Sequence, residues 1–373
     1  MIDWIALNMT PGVGPRAATK LLERFGSAGA VFHGRRTELE SLRLKPGTIE
    51  SLIKREFHEK AETELERVKQ LGGDVLILDD GSYPNLLREI DDPPPVLYVK
   101  GDWQACFDQP SVGVIGSRTC STYGENAAEM LARDLASRGI TITSGLARGI
   151  DTSAHRGAMR GQGRTIAVMG TGLDTVYPRE STGLTREILN SGGCLVTQFP
   201  LGTPPLKDNF PYRNRIISGL SMGVLIVEAS ERSGSLITAR LAAEQNREVM
   251  AVPGNITSGN SFGTNYLIKS GAKLVQQWQD VVAELPSEIA ASILPPKVDE
   301  PRRDESRQPV APADLNDQER KVWSLLAPDE ATHIDILLET SGLSFGDLNN
   351  ALVSLDVRDL IRVLPGKNYA RRI

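Results

Sequence analysis

The sequence predicts an α/β protein: a doubly wound sheet domain between an N-terminal helical domain and a C-terminal winged helix. Three observations predict it. From "DVLILDD" to about residue 285, short β-rich runs alternate with helical stretches. Several of those runs are apolar on both faces, as strands of a parallel sheet covered by helices on both sides must be. Outside this region, before and after it, apolar residues recur near every 3.6 positions.

The totals agree with that organisation. A chain of 373 residues is long for one core, so two or three domains are expected. A formal charge of −5 excludes a protein that coats nucleic acid by positive charge alone, so any such site must be a local basic patch. Cys106, Cys120 and Cys194 fit no metal spacing or redox pair and read as reduced thiols. No basic segment precedes the short apolar start, which Asp3 interrupts, and no apolar run reaches the roughly 20 residues that span a bilayer. The expected location is cytoplasmic.

Residues 1–71 read as the helical domain, ending at the glycines of "FHEKAETELERVKQLGG". Residues 72–285 form the sheet domain. Its expected strands are "SVGVIG", "ITITSG", "RTIAVMG", "CLVTQF", "GVLIVEA", "EVMAVPG" and "AKLVQ", in a Rossmann-like order. Residues 286–313, with repeated proline and mixed charge, read as a flexible linker. Residues 314–373 carry three helical patterns, "ERKVWSLL", "HIDILLETSG" and "GDLNNALVSLDVRDLI", followed by the β-wing "RVLPGKNYARR". That order predicts a winged helix-turn-helix.

Within the first domain, "TPGVGPRAATKLLERFG" resembles a helix-hairpin-helix (SAM-like) unit. Gly12 and Gly14 would let backbone amides at a helix start approach a phosphate, with Arg16 beside them. The same glycines would equally serve a tight turn between packed helices.

Three glycine-rich turns follow strands of the sheet. "VGVIGSRTCSTYG" lacks the dinucleotide fingerprint, because Ser117 and Arg118 follow Gly116 where only backbone is wanted. Arg118 nevertheless stands at the carboxyl end of a strand, where it suits an anionic group. In "SGLARGIDTSAH", Asp151 is placed to cap a helix, and capping explains it more simply than an acid/base pair with His155 four residues on. In "ERSGSLITARLAAEQ", Ser233, Gly234 and Ser235 form an expected anion nest at a helix start. Together the three turns point to a phosphate-bearing ligand.

The stretch "KDNFPYRNRIISGLS" (207–221) packs Lys207, Phe210, Tyr212, Arg213, Asn214 and Arg215 together. One reading is structural, with the aromatics packing a loop and the arginines pairing with carboxylates. The other is contact with single-stranded nucleic acid, cations meeting the backbone and aromatics stacking on bases.

"GSRTCSTYG", "SGLARGIDTSAH", "FPYRNRIISGLS", "EASERSGSLITA" and "MAVPGN" occur in the order and spacing of the DNA processing protein A (DprA/Smf) family. "YPNLLREIDDPPPVLYVKGD" resembles that family's entry into its extended Rossmann domain. The resemblance spans residues 72–285 with specific motifs and reaches more loosely into both flanking domains. It implies a non-catalytic protein, without cofactor or metal, that binds and protects incoming single-stranded DNA. It further implies transfer of that DNA to the RecA recombinase in natural transformation, and a homodimer formed through the sheet domain. By the resemblance, Arg118, Lys207 and Phe210 form the DNA pocket. Gly116, Ser117, Arg213, Asn214, Ser233, Gly234 and Ser235 line or support it, while Arg215 is an ion-pair partner or a second contact.

One departure concerns the winged helix. Its recognition segment carries Asp347, Asp356 and Asp359 against Arg358 alone, where a major-groove reader is basic. Two other readings share the sheet. A nucleoside-monophosphate phosphoribohydrolase needs a glutamate after its glycine turn, and here Ala239, Arg240 and Leu241 follow Thr238. A Rossmann-type nucleotide-binding protein would use the same phosphate chemistry as a DNA pocket.

Overall fold

The computed structural model describes residues 1–294, 312, 314–328 and 330–372. Six helices open the chain: α1 (Ile2–Met9), α2 (Pro15–Phe25), α3 (Ala28–Val31), α4 (Arg36–Ser41), α5 (Pro46–Ile53) and α6 (His58–Gln70). The nine strands of the large sheet are β1 (Gly73–Ile77), β2 (Val96–Gly101), β3 (Ser111–Ile115), β4 (Thr141–Ser144), β5 (Thr165–Val168), β6 (Cys194–Thr197), β7 (Gly223–Ile226), β8 (Glu248–Ala251) and β9 (Lys273–Leu274). Helices intervene: α7 (Asn85–Arg88), α8 (Trp103–Phe107), α9 (Thr122–Ala136), α10 (Ile150–Arg160), α11 (Thr182–Asn190), α12 (Asn209–Gly219), α13 (Gly234–Glu244) and α14 (Phe262–Lys269). After the sheet come α15 (Trp278–Ala283) and α16 (Ser287–Ile293).

The strand order is β1-β2-β6-β5-β4-β3-β7-β8-β9. From β6 to β9 all pairings are parallel, and β3 through β7 are buried along their whole length, which is why most of their sequences run apolar. Strand β4 buries Thr143 and Ser144 in hydrogen bonds to Ser111 and the Val114 carbonyl. The seven expected strands are β3 to β9 and all pair parallel, but two further strands extend the sheet at one edge. There β1 pairs antiparallel with β2, and β2 antiparallel with β6. A parallel crossover needs a dozen or more residues, usually an α-helix. Residues 78–95 between β1 and β2 are long enough, but their helix is only four-residue α7 and they end in the run Pro93, Pro94, Pro95. They supply no helix to cover a sheet face, and β2 pairs antiparallel.

Two apolar layers sandwich the parallel strands. One contains Leu131, Leu135, Ile150 and Ala158 of α9 and α10 against Val112, Val114 and Ile142. The other contains Ile216, Ile217 and Ala239 of α12 and α13 against Ile115, Val168 and Ile226. The N-terminal helices share a core with the sheet: Ile5, Leu7, Leu21 and Leu52 belong to one cluster with Val75, Tyr98, Ala167 and Leu195. Polar contacts join the same parts, since Glu64 accepts the Leu201 amide at 2.6 Å and Asn8 donates to the Gln198 carbonyl at 3.2 Å. The first seventy residues are thus a third layer over the antiparallel edge.

The expected linker begins later than residue 286. Helix α16 occupies Ser287–Ile293 and packs Ile289, Ala290 and Ile293 on the α9/α10 layer, because these residues fall at helical spacing. Residues 295–311 and 313 of the expected linker lie outside the described residues.

The C-terminal unit has its own core around Val322, Trp323, Leu337, Leu348 and Leu352. Its elements are α17 (Asp317–Leu325), β10 (Thr332–His333), α18 (Ile334–Ser341), α19 (Phe345–Val357), β11 (Ile361–Leu364) and β12 (Asn368–Arg371), with β12 central in a three-stranded antiparallel sheet. This is the winged helix expected from the sequence, with β10 added. It rests on α9: Arg362 pairs with Glu125 and, at 3.2 Å, with Glu129. Arg358 pairs with Asp314 and Glu319, so the cation that follows α19 is engaged within the unit.

His155 is fully buried in α10, with Nδ1 2.7 Å from the Thr165 hydroxyl on β5. Burial, and secondarily the nearby Arg213 cation, push its imidazole down to about 3. An unfolded histidine titrates near about 6.5. Between those values the unfolded chain binds a proton that the folded chain refuses, so His155 lowers stability as pH falls. The His155→Gln variant is therefore expected to lose up to about 2 kcal/mol less than the parent between pH 7 and pH 5. Urea titrations at both pH values measure this, and equal losses would assign the acid sensitivity elsewhere.

Candidate functional site

The chain proceeds from β3 to β4, β5 and β6 on one side, then returns to place β7, β8 and β9 on the other. The strand order reverses beside β3, and open α/β sheets bind ligands outside the carboxyl ends of the strands at such a point. A cleft of about 520 Å³ lies there. Its walls come from the turn after β3 (Gly116, Ser117, Arg118, Thr119), the turn after β4 and the start of α10 (Ala147, Asp151), the start of α13 and one face of α12.

The 207–221 stretch is not the loop that its composition suggested. From Asn209 it is helical, and Phe210, Arg213, Asn214 and Ile217 face the cleft at i, i+3, i+4 and i+7. Pro211 is tolerated because it sits in the first turn, where the amide lacks a helical partner. Phe210 is half-buried; the Tyr177 ring lies 5.4 Å away and the exposed Arg118 guanidinium 5.7 Å from its centroid. An aromatic face and a cation with no ion-pair partner among the described residues therefore stand together at the mouth.

Arg213 closes the floor. It is 3 % exposed and donates Nη1 to the Val168 carbonyl at 2.5 Å, while its Nε is buried without a partner among the described residues. Burial pushes its guanidinium down to about 10, partly offset by Asp151, so it remains a cation at neutral pH. Burial likewise pushes the Asp151 carboxyl up, against the pull of Arg213, the Ala147 amide and Ser144. Asp151 lies in the first turn of α10 and accepts the Ala147 amide at 3.2 Å. Its neighbour Gly149 occupies the cap position, so Asp151 is a counter-charge for Arg213 rather than the helix cap its spacing suggested.

The remaining wall is the first turn of α13. Ser233 caps the helix, its hydroxyl accepting the Ser235 amide at 3.3 Å and lying 2.7 Å from the Ser235 hydroxyl. Opposite, the Arg118 turn is held from outside. Glu228, buried just beyond β7, accepts the Ser121 amide at 2.9 Å and the Ser121 hydroxyl, and Asn260 donates to the Thr119 carbonyl at 3.1 Å. The Ser117 hydroxyl is spent locally on Thr119, at 3.0 Å to its carbonyl.

Gly116, Ser117, Arg118, Phe210, Arg213, Asn214, Ser233, Gly234 and Ser235 thus line one cleft. Lys207 does not line it; it is exposed in the turn just before α12, on the approach to Phe210. Arg215 points away from the cleft. It is 3 % exposed, donates to the Asp92 carbonyl at 2.5 Å and to Gln198, and stacks 4.8 Å from the Tyr212 centroid, which resolves it as an internal partner.

The N-terminal hairpin also lies apart. Gly12 has φ +85° and no room for a Cβ beside Thr48, whose hydroxyl bonds the Pro11 carbonyl at 2.8 Å, so a turn accounts for it. Gly14 passes close to the Tyr212 hydroxyl, and Arg16 pairs with Asp92 at 3.8 Å. Sequence reasoning missed Tyr177, Glu228 and Asn260. Tyr177 had a usable signal, an aromatic in a turn after a strand; the other two show only in the fold.

This chain is similar to known proteins over most of its length. Residues 74–286 match the family model described as DNA recombination-mediator protein A, and residues 306–367 match that of the DprA winged helix domain. A protein named Smf from Escherichia coli is 42% identical over 295 residues, covering 79% of this chain and 76% of its own. The X-ray structure of DNA processing protein A from Streptococcus pneumoniae aligns with a TM-score of 0.68 and 36% identity, over 77% of this chain and 98% of that one. A structure of DNA processing protein A from Helicobacter pylori, concerned with its single-stranded DNA binding mode, aligns at 0.51 with 31% identity, over 56% and 93%.

Gly145 tests the floor of the cleft. A Cβ there would collide with the Arg213 guanidinium and come 2.7 Å from an Asp151 carboxylate oxygen. Gly145→Ala is expected to destabilise the fold by about 1–3 kcal/mol in chemical denaturation, as overpacking does. Unchanged stability would mean that the Arg213 guanidinium and the Asp151 carboxylate do not crowd this turn.

Proposed function

Since the chain belongs to the DNA recombination-mediator protein A family, we propose that it binds single-stranded DNA in the cleft at the β3/β7 reversal. The observation that carries the proposal is Arg118 beside the Phe210 ring, which packs on Tyr177, in a cleft shared with buried Arg213 and the start of α13. Phosphates would meet Arg118, Lys207 and the Ser233 and Ser235 hydroxyls at the start of α13. A base would stack on Phe210, a contact worth about 1–3 kcal/mol. Arg213 and Asn214 support that wall, with Arg213 supplying positive potential from beneath. Gly12, Gly14 and Arg16 would add at most a separate phosphate contact.

The same reading makes the protein a binder rather than an enzyme. Asp151 is the one carboxylate lining the cleft among the described residues, and it is occupied with Arg213 and the Ala147 amide. The full proposal is that the protein protects single-stranded DNA in the cytoplasm and hands it to the RecA recombinase during natural transformation. Residues 1–71, 72–285 and 314–373 would then act as a supporting layer, the DNA-binding body and an accessory module.

A homodimer through the sheet domain belongs to the proposal. Its support is the α14 surface beside the sheet's β9 edge, where Phe262 and Tyr266, one turn apart, are 52% and 58% exposed and Leu274 is 46% exposed. Apolar exposure of this kind marks an interaction site. Among the described residues no helix is long and apolar enough to cross a membrane.

Gel shifts with oligo-dT across a salt series test the binding. The Arg118→Ala/Lys207→Ala variant is expected to bind at least about tenfold more weakly. Its salt slope should fall by about 1.4, two lost phosphate contacts at about 0.7 each. Unchanged affinity would overturn the site, and release of a free base from AMP would replace the binder with a hydrolase. Light scattering at micromolar concentration is expected to give a dimer. RecA strand exchange on DNA already covered by single-strand-binding protein is expected to speed up when the protein is added. A monomer, or no acceleration, would remove the corresponding part.

A further inference from the structure

Beyond the cleft, α10 carries arginine at every fourth position but one. Thr152, Arg156 and Arg160 fall on one face of the helix, with about 6 Å of rise between successive positions, and Arg148 lies just before the cap residue Gly149. They line a groove of about 440 Å³ whose far wall is the winged helix, through Arg362 and Arg372. The groove begins where the cleft ends. Ala147 lines the cleft, Arg148 lines the groove, and Gly149 between them and α10 packs against the Arg118 carbonyl.

The ends of this row are already paired. Arg148 meets Glu180, and Arg160 meets Glu129 and, at 2.8 Å, Asp359 of the winged helix. Glu187 also lines the groove. Arg156 differs: it is exposed and has no ion-pair partner among the described residues. Arg148 keeps 65% of its side-chain surface exposed, and a guanidinium with five donors can serve a carboxylate and a second acceptor together. In a chain of formal charge −5, an unpaired arginine midway along a groove that leads out of a cationic cleft is a place for an anion.

We propose that this groove is a second phosphate-backbone track, along which single-stranded DNA leaving the cleft runs over Arg148 and Arg156 toward the winged helix. The inference rests on the cleft being the DNA site. Arg148 and Arg156 stand eight residues apart with Thr152 between them, so they would meet separated rather than successive phosphates. The row carries no aromatic, so the track holds backbone and leaves base sequence unread. The winged helix contributes through its docked wing rather than its recognition helix. The exposed face of α19 presents Phe345, Val353, Val357 and Asp356, with no cation.

Length-dependent binding tests the track. Affinities of full-length protein for oligo-dT of about 6 and about 20 nucleotides, a span within and beyond one binding site of this type, are compared for the parent, Arg156→Glu and Arg156→Lys. Arg156→Glu is expected to weaken the long oligonucleotide about fivefold or more, to lower its salt slope by about 0.7 and to leave the short one within about 1.5-fold. Arg156→Lys should retain the parent's length dependence. Because Arg156 holds no ion pair, the variants should melt with the parent. Equal effects on both lengths, or none on either, would overturn the track. Arg118→Ala serves as the control for the cleft: it weakens both lengths if the cleft is the site, and parent protein that binds neither length refutes the cleft and the track together.

Discussion

A guanidinium buried beneath the carboxyl ends of the central strands is the constraint around which this fold is arranged. Arg213 sits where a solvated ion would be far cheaper, and its surroundings answer that cost. Asp151 supplies counter-charge from α10 and the Val168 carbonyl accepts from β5. Gly145 keeps the turn after β4 free of a side chain at the contact. His155, one turn further along α10, is kept neutral partly by the same cation. Two helices and two strands therefore converge on one charge, and the charge lies under the open cleft.

The consequence is a division of labour between buried and exposed cations. Arg213 gives the cleft a permanent positive potential without having to move. Arg118, exposed on a turn clamped by Glu228 and Asn260, is free to meet a ligand at the mouth. Between them, Phe210 presents a ring and the start of α13 presents the Ser233 and Ser235 hydroxyls. Such a site favours anions joined to flat apolar rings, which is the chemistry of nucleic-acid strands. The same logic separates Arg213 from Arg215: two residues apart on a helix, they face opposite sides, and only one faces the cleft.

Much of this was legible in the sequence and some was not. The apolar runs located seven strands, and three glycine turns pointed to the strand ends where the cleft lies. The antiparallel edge was hidden because "VLYVKGD" reads as well as a connection as it does as a strand. The 207–221 stretch misled by composition. Its charges and aromatics suggested a loop, whereas the spacing of Phe210, Arg213, Asn214 and Ile217 already had the period of a helix face. Applied to that stretch, the helical period separates the arginine that faces the cleft from the one that pairs with Asp92. Glu228 was illegible for a different reason, since its partner Ser121 is more than a hundred residues away.

The central claim is that bases lie against Phe210 while phosphates meet the surrounding cations. Photocrosslinking of a 5-bromodeoxyuridine oligonucleotide to the full-length protein, with the modified peptide mapped by mass spectrometry, tests it most directly. The account predicts crosslinks at Phe210 or Tyr177. Crosslinks confined to α19 of the winged helix or to the hairpin around Gly12 and Gly14 would contradict it.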